Sequence, residues 1–139
     1  MAASEQEVTR ELARYAAGVR FEDLHPEAVR LTRSCILHQL GATMLGSTMP
    51  WTQPFHRYIQ ECGSRPESTV ANHGTRVAAQ DAALVNSTFA AGSGMEDGFQ
   101  TAPGSAGGVT VPVALALAEK APLSGKEVIG AVATGYDLM

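Results

Sequence analysis

Apolar residues in this chain return every third or fourth position through most of its length, the spacing that gathers them on one face of a helix. Val8, Leu12, Tyr15, Ala16 and Val19 form the first such face. Ahead of it, Ser4 and Glu7 stand at capping-box spacing, with the Ser4 hydroxyl accepting from the first turn and Glu7 reaching back. Gly18 is a stop signal. After the turn RFEDLHPE, Pro26 suits the first turn of a second helix, expected from Pro26 to Leu45, with Val29, Ile36, Leu40 and Met44 along one face. Gly41 and Gly46 are expected to let another helix approach it closely. TMPWTQPF breaks the pattern, and a short helix from Gln53 to Glu61 is expected to follow, presenting Phe55, Tyr58 and Ile59. STVAN reads as a short extended piece. Thr75 is expected to open an alanine-rich helix through Val77, Asp81, Leu84, Val85 and Phe89. VPVALALAEK reads as a helix buried on nearly all sides. Ser124 and Glu127 repeat the capping box ahead of VIGAVATGYDLM, a last helix with no stop signal, whose unfinished apolar face is expected to seek a partner. No alternation runs long enough to argue for a sheet. The expectation is an all-α fold, a compact bundle of about five to six helices forming a single domain over residues 1–139.

One stretch resists this pattern. GSGMEDGFQTAPGSAGG, residues 92–108, holds six glycines, Pro103 and the adjacent acids Glu96 and Asp97, with no Lys, Arg or His. A loop of that length is functional or disordered. Its glycines miss the dinucleotide fingerprint by one residue and follow a helix where a strand is required. Ser93 and Ser105 fail the G-x-S-x-G pattern, because Ala91 and Pro103 occupy its first position. The acid pair carries more chemistry. Adjacent carboxylates repel, so one can hold its proton and serve as an acid while the other stays ionised. The competing reading is a solvated loop pair.

Cys35 and His38 stand three apart on the second helix, but the chain offers no matching second pair of ligands, and no metal or cofactor is expected. A buried thiol beside a hydrogen-bonded imidazole is the simpler reading. Trp51 and Tyr58 fit either a pocket wall or a core. A hydrophobic content of 45% over 139 residues describes a folded chain. The formal charge of −4, with scattered Lys and Arg, argues against nucleic acid. Cys35 and Cys62 make no disulfide framework, and the charged start lacks a signal-peptide core, so a cytoplasmic protein without membrane contact is expected.

Taken in order, LARYAAGVRFEDLHPEAVRLTRSCILHQLGATMLGS, AALVNSTFAAGSGMEDGFQ and VPVALALAEKAPLSGKEVIGAVATGYDLM resemble the amino-terminal helical domain of the MmgE/PrpD family, over nearly the whole chain. The resemblance implies a helical bundle and lyase-type chemistry on small carboxylic acids, in which a proton is taken beside a carboxylate and water or carbon dioxide is lost. It implies homodimers, or here completion of the site by a second chain. It also implies that the glycine-rich loop is ordered and lines the active-site cleft. Where relatives carry an acidic run of the type D-F-D-D, this chain has Gly94-Met95-Glu96-Asp97, so the first acid is glycine. Ser105-Ala106-Gly107 stands where relatives have His-Pro-Gly, and His38 stands at a position usually Asp. The residues left for proton handling are Glu96, Asp97 and Ser105. Thr101, Gly107, His73 and Arg76 are the candidates for substrate binding. Three readings stay open: a lyase subunit completed by a partner, a non-catalytic binding or scaffold protein, and a stand-alone dehydratase or cyclase.

Overall fold

A computed structural model describes residues 5–98 and 104–139. Ser4 and Thr101 therefore lie outside the described residues. Among the described residues the chain forms six α-helices: α1 (Glu5–Gly18), α2 (Pro26–Gly46), α3 (Gln53–Cys62), α4 (Ala79–Ser93), α5 (Ala106–Lys120) and α6 (Gly125–Leu138). A 3-10 turn, Phe21–Asp23, precedes α2, and two short antiparallel strands, β1 (Ser68–Thr69) and β2 (Arg76–Val77), join α3 to α4. The fold is helical, as the periodicity indicated. No helix among the described residues is long and apolar enough to cross a membrane.

Local signals set most helix ends. Pro26 opens α2, where His25 accepts the Glu27 N–H at its Nδ1, a capping role the sequence did not suggest. Ser124 and Glu127 form the expected reciprocal cap on α6: Ser124 Oγ accepts from the Glu127 N–H at 3.3 Å, and Glu127 Oε2 accepts from the Ser124 N–H at 2.7 Å. Two expectations need correction. Thr75 does not open a helix, because residues 76–77 pair with 68–69 and α4 starts at Ala79. STVAN supplies the partner strand. Asn86 of α4 locks this hairpin down, accepting the Ala71 N–H and donating to the Thr69 carbonyl. The helix predicted as buried on all sides, α5, has an open stripe: Val109, Val113 and Leu117 are 51%, 41% and 49% exposed. With Ala83, Leu84 and Ser87 of α4 they line an apolar cavity of about 540 Å³.

The interior lies where α4 meets its neighbours. Val85 and Phe89 of α4 are wholly buried and pack with Ile59, Val70 and Val77, while Val111 and Val132 centre a second cluster between α5 and α6. The tightest crossing is that of α2 on α4. A Cβ at Gly46 would sit 1.6 Å from the Phe89 carbonyl oxygen, so the backbones touch there. Thr52 closes the same corner, donating to the Gly46 carbonyl at 2.7 Å, and its methyl lies where a Cβ on Gly92 would sit. Gly41, by contrast, faces open space. Gly46→Ala is therefore expected to force the helices apart and cost about 1–3 kcal/mol in urea denaturation. Gly41→Ala is expected to stabilise by about 0.5–1 kcal/mol. Equal effects of the two substitutions would refute the crossing.

Candidate functional site

The glycine-rich loop is shorter than its composition suggested, because α4 runs through Ser93 and α5 starts at Ala106. Gly94 ends α4 in the left-handed conformation (φ 67°), and its N–H donates to the Ala91 carbonyl. Gly94 thus does a helix-ending job. Three contacts then pin the start of the loop. Trp51 Nε1 donates to the Gly92 carbonyl at 2.9 Å, the Met95 N–H donates to Ser93 Oγ, and His38 Nε2 donates to the Met95 carbonyl at 2.7 Å.

Beyond Met95 the acid pair turns toward the first turn of α5. The Asp97 carboxylate accepts the Gly107 N–H at 3.1 and 3.2 Å, the Ser105 hydroxyl at 3.2 Å, and the Tyr136 hydroxyl of α6 at 2.5 Å. Ser105 holds the N-cap position yet makes no cap bond of its own, so Asp97 caps the helix from ten residues upstream. A carboxylate is favoured there, because unpaired N–H groups and the helix dipole both present positive charge. The glycines make room for it. A Cβ on Gly107 would meet Asp97 Oδ1 at 2.6 Å and the Tyr136 hydroxyl at 2.5 Å, and one on Gly108 would meet Glu96 Oε1 at 2.5 Å. On the far side, a Cβ at Gly135 would lie 2.5 Å from Thr110, so α6 crosses close enough for Tyr136 to reach the acid.

Glu96 is held above the usual carboxylate range, first by burial and then by the charge of Asp97. Tyr136 is pushed well above its ordinary value by burial, by its hydrogen bond to Asp97 and that residue's charge, and by Cys35 of α2. Its hydroxyl stays protonated and keeps donating. The cluster therefore combines a carboxyl that holds its proton unusually well with a carboxylate fixed by three kinds of donor.

The structure thus brings Glu96, Asp97, Ser105 and Gly107 together and adds Tyr136, which sequence reasoning missed. Its available signal was the run of small residues before it on α6, Gly130-Ala131-Val132-Ala133-Thr134-Gly135, which marks a close helix approach. Cys35 and His38 turn to different partners, Tyr136 and the Met95 carbonyl. No group of three or more His, Cys, Asp or Glu among the described residues is placed to hold a metal ion. His73 and Arg76 lie elsewhere. The His73 ring stacks on His56 with centroids 3.9 Å apart and rests on Phe89. Arg76 donates to Glu119 at 3.1 Å and to the Glu67 carbonyl at 2.6 Å. Glu119 is twelve residues along α5 from Gly107, roughly 18 Å by helical rise. The apolar α4/α5 cavity and two others, of about 590 and 640 Å³, have neither Glu96 nor Asp97 in their walls.

Against known proteins, residues 10–139 match the MmgE/PrpD N-terminal domain. The chain belongs to the MmgE/PrpD family. It is 23% identical over 140 residues to the cis-aconitate decarboxylase-like protein oryM of Aspergillus oryzae, covering 96% of this chain and 29% of that protein. It is 21% identical over 123 residues to the cis-aconitate decarboxylase of Aspergillus terreus, covering 88% of this chain and 25% of that one. The MmgE/PrpD region seen here thus spans between a quarter and three tenths of those relatives. No solved structure matches it.

The charge state of Glu96 has a measurable consequence. The folded protein binds this proton more tightly than the unfolded chain does. Between the ordinary carboxylate value and the raised one, the native state carries the extra proton, so this group makes stability fall as pH rises. Glu96→Gln cannot ionise. Its thermal midpoint is expected to be flatter across that window and higher than wild type on the alkaline side, and parallel curves would refute the shift. Asp97→Ala is expected to cost about 1–2 kcal/mol at neutral pH through loss of the α5 cap, read by the same melts.

Proposed function

We propose that this chain is a lyase-type MmgE/PrpD protein, or the subunit of one, that acts on a small carboxylic acid and completes its site with a partner chain or a second copy. The observation that carries the reading is the Asp97–Tyr136–Gly107 cluster with Glu96 beside it. Removing or returning a proton next to a carboxylate needs a group whose proton affinity lies nearer neutrality than that of a free carboxyl. Glu96 has been moved in that direction. In a decarboxylation, the bond to the departing carboxylate breaks, carbon dioxide leaves, and the electron pair left on carbon takes the proton from the Glu96 carboxyl. In a dehydration the Glu96 carboxylate takes the proton from carbon and returns it to the departing hydroxide, which leaves as water. Asp97, held by Ser105 and Tyr136, fixes the loop on which Glu96 rides. Ser105 and Gly107 are the groups proposed to face the substrate from this loop, and Thr101 is proposed to bind it as well. His73 and Arg76 have structural partners in the hairpin and at the far end of α5, and they are given no role at this cluster.

One observation supports completion by further polypeptide. The α4/α5 face leaves Leu84, Val109, Val113 and Leu117 half-exposed around an apolar cavity, and contiguous apolar surface marks interaction sites. Binding without turnover is a second reading. It is favoured by Asp97, which already fills the anion-accepting turn of α5.

Purification from the native host, with light scattering and an assay for carbon dioxide release from cis-aconitate, separates these readings. The expected species is heavier than the 14.6 kDa chain and turns the acid over. Glu96→Gln is expected to lower kcat by about 10²-fold or more. Binding of the acid without turnover, or turnover indifferent to Glu96, would overturn the catalytic assignment.

A further inference from the structure

Two side chains keep buried polar atoms without a hydrogen-bond partner among the described residues: His73 at Nε2, and Gln39 at both ends of its amide. Gln39 of α2 is 1% exposed, and both its amide nitrogen and its amide oxygen lack any hydrogen-bond partner among the described residues. A buried amide has the capacity for several hydrogen bonds, and in folded proteins such a group meets protein, ordered water, an ion or a ligand. Its place in the fold narrows that choice. α2 and α4 run antiparallel, with Gly46 against Phe89 and His38 against Met95. That register sets Gln39 opposite the end of α4 and the first residues of the acidic loop. Gln39 also lies one helical turn beyond Cys35, on the same face of α2. Cys35 interacts with Tyr136, whose hydroxyl donates to Asp97. Register and helical face thus point the same way, from α2 toward the Glu96–Asp97 cluster.

Other features of the molecule carry less. The stacked His56 and His73 have no third ligand, and the polar cavity around Arg65 and Lys120 is already served by the Glu67 carboxylate, which pairs with Lys120 and accepts the Ala79 N–H.

We infer that Gln39 is a substrate-recognition residue whose amide hydrogen-bonds a carboxylate or hydroxyl of the small acid from beneath the loop. This rests on the small-acid reading given above and adds a residue to it. The amide offers a donor to a carboxylate oxygen and an acceptor to a hydroxyl, so it suits a hydroxylated or unsaturated polycarboxylate. It adds no negative charge to a cluster that already holds two acids.

The experiment is a titration with cis-aconitate of the assembled species isolated from the native host, with this chain ¹⁵N-labelled, following the side-chain NH₂ signals. The Gln39 pair is assigned by its disappearance in Gln39→Met, which keeps length and removes the amide. Expected is a saturable shift of the Gln39 pair with the same midpoint as the backbone amides of Glu96 and Asp97, while the exposed Gln60 and Gln80 pairs stay in place. Gln39→Met is expected to weaken that midpoint about tenfold or more, the worth of a hydrogen bond to a charged group. A stationary Gln39 pair, with Glu96 and Asp97 shifting normally, overturns the role of Gln39 and leaves the small-acid reading standing. If no resonance moves, both fall together.

Discussion

The contact of two backbones at Gly46 and Phe89 governs the geometry of everything around the acidic loop. With no side chain at Gly46, α2 lies directly on the Phe89 carbonyl, and Thr52 and Gly92 close the same corner. A crossing fixed that tightly fixes register, because packed helices cannot slide without opening voids or clashes. Register in turn brings His38 to the Met95 carbonyl and Trp51 to the Gly92 carbonyl. The loop therefore leaves α4 in one direction, and its acids face the start of α5.

At that start, a helix with glycines in its second and third positions lacks the side chains that would fill its first turn. The loop's carboxylates occupy the space. Asp97 satisfies the Gly107 N–H, and the Tyr136 hydroxyl satisfies Asp97 in return, so α4, α5 and α6 are joined through one side chain. Glu96 sits in the same pocket of space without such donors among the described residues, and burial weighs on its charged form. Neighbouring residues of one chemical type thus acquire different tasks from their surroundings alone.

On the proposed reading, Glu96 is the group that handles a proton beside a carboxylate, and Asp97 is its rigid mount. Cationic groups to meet an anionic substrate are not drawn to the cluster: Arg76 is held by Glu119, and Lys120 by Glu67. The chain spans a quarter to three tenths of its relatives' length, and an apolar face stays open on α4 and α5.

The sequence alone determined the helices, the cap of α6 and the family. Apolar periodicity, Pro26, the Ser124–Glu127 box and the ordered run of similar stretches are local or linear signals. It also singled out Glu96, Asp97, Ser105 and Gly107 as neighbours in chemistry, since they share one glycine-rich stretch. What it could not show depends on residues far apart in the chain. The hairpin that displaces the expected start of α4 needs residues 68–69 to find 76–77, and two-residue strands carry no periodicity to announce it. The open stripe on α5 depends on which neighbours pack against it, and composition is the same whichever face is covered. Tyr136 joined Asp97, and Gln39 was buried without a partner, only because three helix crossings set distances that no spacing along the sequence encodes.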